Sequence, residues 1–309
     1  MLSNVTLNDR LIIKVPASSA NLGPGFDSIG LALNLYLTLE VEKHDKWVCR
    51  SQCEELKDLP TDETHFICQV AIQTAAHYGI KLSPCKISVD SEIPLARGLG
   101  SSAAAIVAGI ELADSVGDLS LTKQEKLLLA TKWEGHPDNV GASLFGGLVI
   151  GCYRQNEVDM LSFRDLPFEM VALIPQDILL TKESREVLPT TYSQGEAIQA
   201  SSTANLLVAA LLSQNWSLAG KMMEKDLFHQ PYRKPLIHAY HEVEQLAKSS
   251  GAFGVALSGA GPTVICFIEK GKGKQLMHTM QAGFPEMNAM LLSISDTGSN
   301  KCTAEEFVQ

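Results

Sequence analysis

Hydrophobic and polar positions repeat with two different periods along this chain, and together they predict a mixture of strands and helices. Residues 29–41 alternate with the two-residue period of a long, half-buried strand, whereas residues 63–78 repeat with the period of an amphipathic helix that Gly79 ends. Thr122 and Glu125 have the spacing of a capping box at the start of a helix. The first half therefore predicts strands at 11–15, 29–41, 47–52, 86–89 and 146–153, with helices at 63–78, 101–116, 122–133 and from 138.

The pattern weakens around residues 157–167, and a domain boundary is expected there. This boundary divides the chain into residues 1–158 and 159–309. Residues 229–235 predict a loop, and the polar tail after residue 295 predicts irregular structure. Elsewhere the second half predicts strands at 168–174, 255–261, 262–268 and 290–294, and helices at 195–213, 217–227, 236–249 and 274–282.

Composition narrows the class of protein. The 309 residues are 45% hydrophobic and carry a net charge of −10 without a Lys/Arg cluster, which argues against nucleic-acid binding. Seven cysteines without a C-x-x-C pair indicate a reducing compartment. The densest apolar run, Leu206 to Leu212, is too short to span a bilayer. The sequence thus predicts a soluble cytoplasmic protein with no membrane or nucleic-acid partner.

A glycine- and serine-rich stretch, PLARGLGSSAAA from Pro94 to Ala105, lies between a predicted strand and a predicted helix. Gly98 and Gly100 allow a ligand to approach the backbone, since glycine has no Cβ and tolerates positive φ. Ser101 and Ser102 are predicted to cap the following helix through their hydroxyls. A glycine turn at a helix N-terminus suits a phosphate group, although an ordinary capped helix has the same pattern.

Other phosphate-binding signatures fit this stretch poorly. Gly98, Gly100 and Ala103 match the dinucleotide pattern G-x-G-x-x-G/A, but Pro94 and the paired serines are foreign to that turn. A Walker A loop is absent from the sequence, because Gly220-Lys221 is followed by Met222. The protein-kinase H-R-D and D-F-G signatures are absent as well.

Two further segments carry polar side chains in unusual density. Residues 16–27, PASSANLGPGFD, read as a loop between two strands and contain the acid Asp27. Residues 134–139, EGHPDN, break one helix and start another at Asp138. Glu134 suits a hard cation such as Mg²⁺, which takes one or two carboxylates with phosphate oxygens, whereas zinc would require more His or Cys ligands.

With LSGAGPT at 257–263, these three blocks resemble the GHMP kinase superfamily of small-molecule kinases. PASSANLGPGFD and EGHPDN resemble the homoserine kinases within it, and the resemblance runs from about Leu11 to Ile294. It implies an α+β fold of two domains, an N-terminal domain like ribosomal protein S5 and a C-terminal ferredoxin-like domain. It also implies ATP-dependent phosphorylation of the L-homoserine hydroxyl to O-phospho-L-homoserine, a step of threonine biosynthesis.

The same resemblance assigns the site residues. The ATP phosphates are expected on Pro94, Leu95, Ala96, Arg97, Gly98, Leu99, Gly100, Ser101, Ser102, Ala103 and Ala104. Mg²⁺ is expected at Ser102 and Glu134, which together with Asn139 form the catalytic set. Homoserine is expected to contact Asn21, Asp27, Asn139, Thr181, Arg185 and Arg233. Their chemistry fits a zwitterion, since Asp27 can pair with its ammonium group and the two arginines with its carboxylate.

Several points remain open at this level. Asp138 is either a general base or a cap of the following helix, and His136 is interpreted as structural. A homodimer follows from the family alone. The alternatives to homoserine phosphorylation are a related kinase for another alcohol and a catalytically silent nucleotide-binding protein.

Overall fold

A computed structural model describes residues 10–51, 53–179 and 181–303, with Thr181 described through its backbone alone. The strands are β1 Leu11–Asn21, β2 Gly25–Lys43, β3 Val48–Ser51, β4 Cys85–Ser91, β5 Leu148–Arg154, β6 Glu157–Phe163, β7 Phe168–Ile174, β8 Gly254–Leu257, β9 Val264–Glu269, β10 Asn288–Leu292 and β11 Asn300–Thr303. The α-helices are α1 Phe66–His77, α2 Ser101–Gly117, α3 Lys123–Glu134, α4 Asp138–Phe145, α5 Thr181–Glu186, α6 Gln194–Leu212, α7 Trp216–Met223, α8 Gln230–Arg233, α9 Tyr240–Ser249 and α10 Gly273–Gly283.

The first sheet has seven strands in the order β11-β1-β2-β4-β3, with β5 paired to β2 and β6 paired to β5. All these pairs are antiparallel except β3 with β4. Helices α2 and α4 pack against β1 and β2. The N-terminal ends of both helices lie beside β1, because Ser18 of that strand bonds Leu99 just before α2 and Asn139 in the first turn of α4. The predicted division between residues 158 and 159 stays a prediction, and it falls within β6.

The second sheet has four antiparallel strands in the order β10-β7-β9-β8. With helices between β7 and β8 and between β9 and β10, this is the β-α-β-β-α-β order, and the ferredoxin-like expectation is confirmed. A second apolar core forms where Val171 and Leu173 of β7 meet Val243 of α9 and Leu276 of α10. None of the helices in the described ranges is long and apolar enough to cross a membrane.

The loop predicted over residues 16–27 is wrong, because β1 continues to Asn21 and β2 already begins at Gly25. The side chains of this extension are small and buried on both faces, so they lack the apolar alternation that marks a strand. Its ladder bulges between Pro16 and Ala17 and between Ala20 and Asn21, and Ser18 N–H donates to the Leu99 carbonyl at 3.1 Å. The hairpin is therefore held by distant partners.

Two other segments that the sequence predicts to be irregular contain regular structure, so these predictions are also wrong. Within the predicted loop at 229–235, α8 forms because the Asp226 carboxylate accepts the N–H groups of Phe228, His229 and Gln230 at 2.8, 3.1 and 2.6 Å. The polar tail contains β11, which pairs with β1 and is tied down by Lys301 Nζ, 2.9 Å from Asp114 Oδ2.

Candidate active site

The turn before α2 has a backbone that requires glycine. Gly98 and Gly100 have φ values of 78° and 74°. A Cβ at Gly98 would lie 2.3 Å from the Ser258 carbonyl oxygen, and one at Gly100 would lie 2.2 Å from Ser18 Oγ. Glycine is therefore required at these two positions because neighbouring protein segments pack against the backbone, and not only because a ligand could approach it.

The predicted serine caps of α2 are wrong. Gly100 occupies the N-cap position, and among the described side chains none caps this helix end. Ser101 and Ser102 lie inside the first turn, where they leave backbone N–H groups available at the positive end of the helix dipole. An uncapped N-terminus on a cavity wall is better suited to an external anion than the capped one expected.

Arg97 fastens this loop to the second domain. Its guanidinium donates to the backbone carbonyls of Pro175, Leu95 and Gln176 at 3.0, 2.9 and 2.6 Å. Ser258 Oγ donates to the Gly98 carbonyl at 2.6 Å. The Arg97 charge is therefore engaged with the protein's own carbonyl groups, and the loop is held in place between the two domains.

Glu134 ends α3 beside the start of α2. Ser102 Oγ donates to Glu134 Oε2 at 3.4 Å, and both side chains line the same cavity. Burial raises the pKa of Glu134, and the negative charge of Asp138 adds to this, while His136 and the Ser102 hydrogen bond oppose it. A hydroxyl and a carboxylate whose charge is poorly solvated form a donor set that fits Mg²⁺.

Asp138 occupies the first position of α4 and contacts both neighbours in the EGHPDN segment. Its Oδ1 accepts the Asn139 backbone N–H at 2.8 Å and lies 2.5 Å from His136 Nδ1, whereas Oδ2 is buried without a hydrogen-bond partner in the described part of the chain. Burial opposes a charge on His136, but Asp138 and then Asp27 raise its pKa overall.

Asn139 is oriented by the β1 strand. Its Oδ1 accepts a hydrogen bond from Ser18 Oγ at 3.0 Å, and the side chain is 8% exposed. This contact assigns the amide oxygen to Ser18. Nδ2 donates one N–H to Asp138 Oδ1 at 3.5 Å, which leaves its second N–H available to a ligand.

The β1–β2 turn presents Asp27 to the cavity through a strained backbone. Asn21 and Asp27 have φ values of 75° and 54°, in the left-handed region that few residues adopt. Asn21 Oδ1 accepts the Asp27 N–H at 3.0 Å, and its Nδ2 donates to the Gly259 carbonyl at 3.0 Å. Asp27 Oδ1 in turn pairs with Arg185 Nη2 at 2.7 Å.

Arg233 lies at the end of α8 and is 2% exposed. Its Nε donates to the Ser184 carbonyl at 3.0 Å and its Nη1 to the Gly259 carbonyl at 3.2 Å. Burial, and then the positive charge of Arg185, lower its pKa to about 10, so it remains charged at neutral pH.

These groups meet on one cavity of about 230 Å³ between the two domains. The predicted site residues on its wall are Asn21, Asp27, Ala96, Gly98, Gly100, Ser101, Ser102, Glu134, Asn139, Arg185 and Arg233. Six predicted phosphate-loop residues lie off the wall, namely Pro94, Leu95, Arg97, Leu99, Ala103 and Ala104, and their role stays a prediction. The side chain of Thr181 lies outside the described residues.

The sequence interpretation missed several wall residues. Phe26, Leu179, Gly259 and Ala260 were not assigned, and His136, interpreted as structural, also faces the cavity. Phe26 precedes Asp27 directly, and Gly259 and Ala260 lie in the LSGAGPT block, so adjacency to assigned segments was the available signal.

Comparison with known proteins matches this geometry. The family model described as GHMP kinases N terminal domain matches residues 65–147, and GHMP kinases C terminal matches residues 207–286. The chain therefore has the two-domain GHMP kinase fold that the resemblance implied. A homoserine kinase of Cytophaga hutchinsonii shares this fold with a TM-score of 0.84, 24% identity and coverage of 98% of this chain and 100% of that one.

Sequence similarity points to a narrower group of proteins than the fold does. The homoserine kinase of Bacillus licheniformis is 51% identical over 93% of this chain and 94% of its own length. That of Bacillus pumilus is 48% identical over 93% of this chain and 92% of its own. The chain belongs to the homoserine kinase family.

Proposed function

We propose that this protein transfers the γ-phosphoryl group of ATP to the side-chain hydroxyl of L-homoserine, forming O-phospho-L-homoserine for threonine biosynthesis in the cytoplasm. One observation carries the proposal. A single cavity joins an uncapped helix N-terminus to Asp27 and two arginines, which are the charges that an α-amino acid requires. Six cysteines of the described residues are free thiols, in keeping with a reducing compartment, namely Cys49, Cys53, Cys68, Cys85, Cys152 and Cys266.

The nucleotide end is the turn at residues 94–104. Backbone N–H groups in the first turn of α2 receive the phosphate oxygens, aided by the helix dipole. Ser102 and Glu134 would hold Mg²⁺, and that ion would neutralise phosphate charge when bound. Because the surrounding protein has a net charge of −10, this local dipolar and cationic site is what attracts the nucleotide.

The acceptor end is the ion pair between Asp27 and Arg185, with Arg233 beside it. A bound zwitterion places its ammonium group on Asp27 and its carboxylate on Arg185 and Arg233, so it substitutes its own two charges for part of the pair between Asp27 and Arg185. Nε and Nη1 of Arg233 already donate hydrogen bonds to carbonyl groups of the protein, so its Nη2 is the atom that donates to the carboxylate.

Asn139 aims the hydroxyl. Its amide oxygen is bonded to Ser18, so its Nδ2 donates to the acceptor oxygen and directs it towards the phosphate end of the cavity. Phosphoryl transfer depends mainly on positioning and charge neutralisation, and no strong base is required. The unpartnered Asp138 Oδ2 is the nearby acceptor that could receive the hydroxyl proton, so its role as a base stays open.

A coupled ADP-release assay with L-homoserine, ATP and Mg²⁺ tests the proposal, with the phosphomonoester identified by ³¹P NMR. We expect turnover of L-homoserine and at most weak turnover of mevalonate or a sugar. Absence of homoserine turnover alongside turnover of another alcohol would contradict it, and nucleotide binding without any transfer would support the silent-protein alternative. Gel filtration with light scattering tests the homodimer that is expected from the family.

A further inference from the structure

Phe26 lies where the two arginines of the acceptor end converge. The Cζ atoms of Arg185 and Arg233 each lie 5.4 Å from the centroid of its ring. The ring is partly buried and lines the cavity. Two guanidinium groups from different helices therefore contact one aromatic side chain at the site where a carboxylate is expected.

Like charges so placed repel each other. Burial and the positive charge of Arg185 both lower the pKa of Arg233. An aromatic ring offsets this repulsion, because its negative face attracts a cation without neutralising it. A carboxylate in the place of Phe26 would also hold the arginines, but it would compete with the substrate for both of them.

A buried histidine holds the ring and Arg233 together. His229 stacks on Phe26 with ring centroids 5.4 Å apart and an interplanar angle of 21°. Its Nε2 donates to the Gly23 carbonyl at 2.9 Å, which leaves Nδ1 to accept from Arg233 Nη1 at 3.3 Å. Burial lowers the pKa of His229 to about 4, so the ring is neutral and adds no charge to the arginine pair.

Phe26 also immediately precedes Asp27 in the chain. A substrate ammonium group on Asp27 would displace part of the Arg185 ion pair at 2.7 Å, whereas the Phe26 ring holds Arg185 through a separate contact. Two adjacent residues thus provide both the acid proposed to bind the ammonium group and the ring that contacts the two arginines proposed to bind the carboxylate. Its left-handed backbone at Asp27 fixes the spacing between them.

We propose that Phe26 is a positioning residue that determines specificity for an acceptor carboxylate: its ring, backed by His229, holds Arg185 and Arg233 in the arrangement that grips this group. The inference rests on the proposed function and extends it, since it assigns recognition of one substrate group to a side chain that makes no polar contact. It distinguishes two acceptors, L-homoserine and its analogue without a carboxylate, 3-aminopropan-1-ol.

The test measures steady-state kinetics of F26L, which removes the ring and keeps an apolar side chain. We expect its KM for L-homoserine to rise about tenfold, with kcat and the KM for ATP within about threefold of the wild type. For 3-aminopropan-1-ol we expect kcat/KM to stay within about twofold, because that alcohol has no carboxylate to position. F66L is the matched control, since Phe66 of α1 lies outside the cavity wall.

Two further variants test the assignment with L-homoserine alone, without the analogue 3-aminopropan-1-ol. F26Y keeps the ring and should restore the KM for L-homoserine to within about twofold of the wild type. In an R185K background, F26L should add less than about threefold, because the ring acts through the arginines. If thermal unfolding shows that F26L is not folded, F26M replaces it.

An F26L variant that weakens both acceptors equally, or that adds its full effect in R185K, would overturn the assignment. So would an unchanged KM for L-homoserine. These results differ from a failure of the proposed function, in which the wild type itself would not phosphorylate L-homoserine.

Discussion

The two proposed ends of the cavity present charge in different ways. The proposed nucleotide end consists of backbone N–H groups of α2 with one neighbouring acid, and its parts lie between residues 94 and 134 of the first domain. The proposed acceptor end consists of charged side chains from three separate segments, at Asp27, Arg185 and Arg233. A phosphate chain is a common group that a backbone can bind, whereas a particular amino acid requires side chains at defined distances.

This difference predicts that a substitution at one end of the cavity should leave recognition at the other end unchanged. Substitutions at the nucleotide end should affect the chemical step and ATP, and those at the acceptor end should affect L-homoserine alone. Asn139 lies between the two proposed ends on the cavity wall. A substitution there should therefore affect both ATP and L-homoserine.

The largest expected effect is at Glu134. E134Q keeps the shape of the side chain but removes the charge of the proposed Mg²⁺ ligand, so kcat should fall about 10²- to 10³-fold. The KM for L-homoserine should change little. Steady-state kinetics over a range of Mg²⁺ concentrations check this, with E63Q, at an exposed acid before α1, as the control. A kcat for E134Q close to the wild type would refute the assigned role.

The acceptor end should show the opposite pattern. R185K retains the positive charge and loses the planar fork, so the KM for L-homoserine should rise about 10- to 100-fold while that for ATP stays constant. The exposed Arg154 provides the matched control R154K. An unchanged KM for L-homoserine in R185K would exclude carboxylate recognition by this side chain.

Two glycines with the same φ separate the cost of strain from that of crowding. Gly100 and Gly79 both have a φ of 74°, but a Cβ at Gly79 would meet no atom within 4 Å, whereas one at Gly100 would meet Ser18 Oγ at 2.2 Å. We expect G79A to lower the free energy of unfolding by about 1 kcal/mol, from the left-handed backbone alone.

G100A should cost about 2 kcal/mol or more, because Ser18 must also move, and it should raise the KM for ATP. Denaturant unfolding and nucleotide kinetics measure both quantities. Equal losses of stability in the two variants would show that the turn at Gly100 is not crowded.

His229 should have the smallest effect at neutral pH, because its contribution is a pH dependence of stability that develops only in acid. Its folded pKa of about 4 lies below the value of about 6.5 in an unfolded chain, so below that value the unfolded state binds a proton that the folded state does not. The free energy of unfolding should therefore fall with decreasing pH between these values, by up to about 1.4 kcal/mol per pH unit from this group.

The variant H229Q should lose this contribution, since Gln does not titrate. Denaturant unfolding at several pH values measures the two slopes between pH 4 and 6.5. Parallel slopes for the two proteins would show that His229 is protonated in the fold.

Helices and strands that are specified by a short stretch of sequence have the predicted positions in the structure. The capping box at Thr122 and Glu125 is present at the start of α3, and β7 has the predicted bounds 168–174. The segments that were wrong depend on partners distant in sequence: Ser18 bonds Leu99, and β11 pairs with β1. Periodicity carries no information about such partners.

The candidate site follows the same division. Parts of the glycine-serine block and of EGHPDN line one cavity, and each block is short and rich in polar groups, while the roles assigned to their residues stay predictions. The absence of a side-chain cap on α2 and the contact of Phe26 with two arginines could not be predicted, since both depend on how distant segments pack. A single aromatic residue in a segment that the sequence predicts to be a loop also carries no signal of its own.

Calorimetric titration of L-homoserine into the wild type, E134Q and R185K tests most directly whether the two ends are separate parts of one site. We predict that the dissociation constant rises about 10- to 100-fold in R185K and stays within about twofold in E134Q. Equal weakening in both variants, or unchanged binding in R185K, would contradict the account.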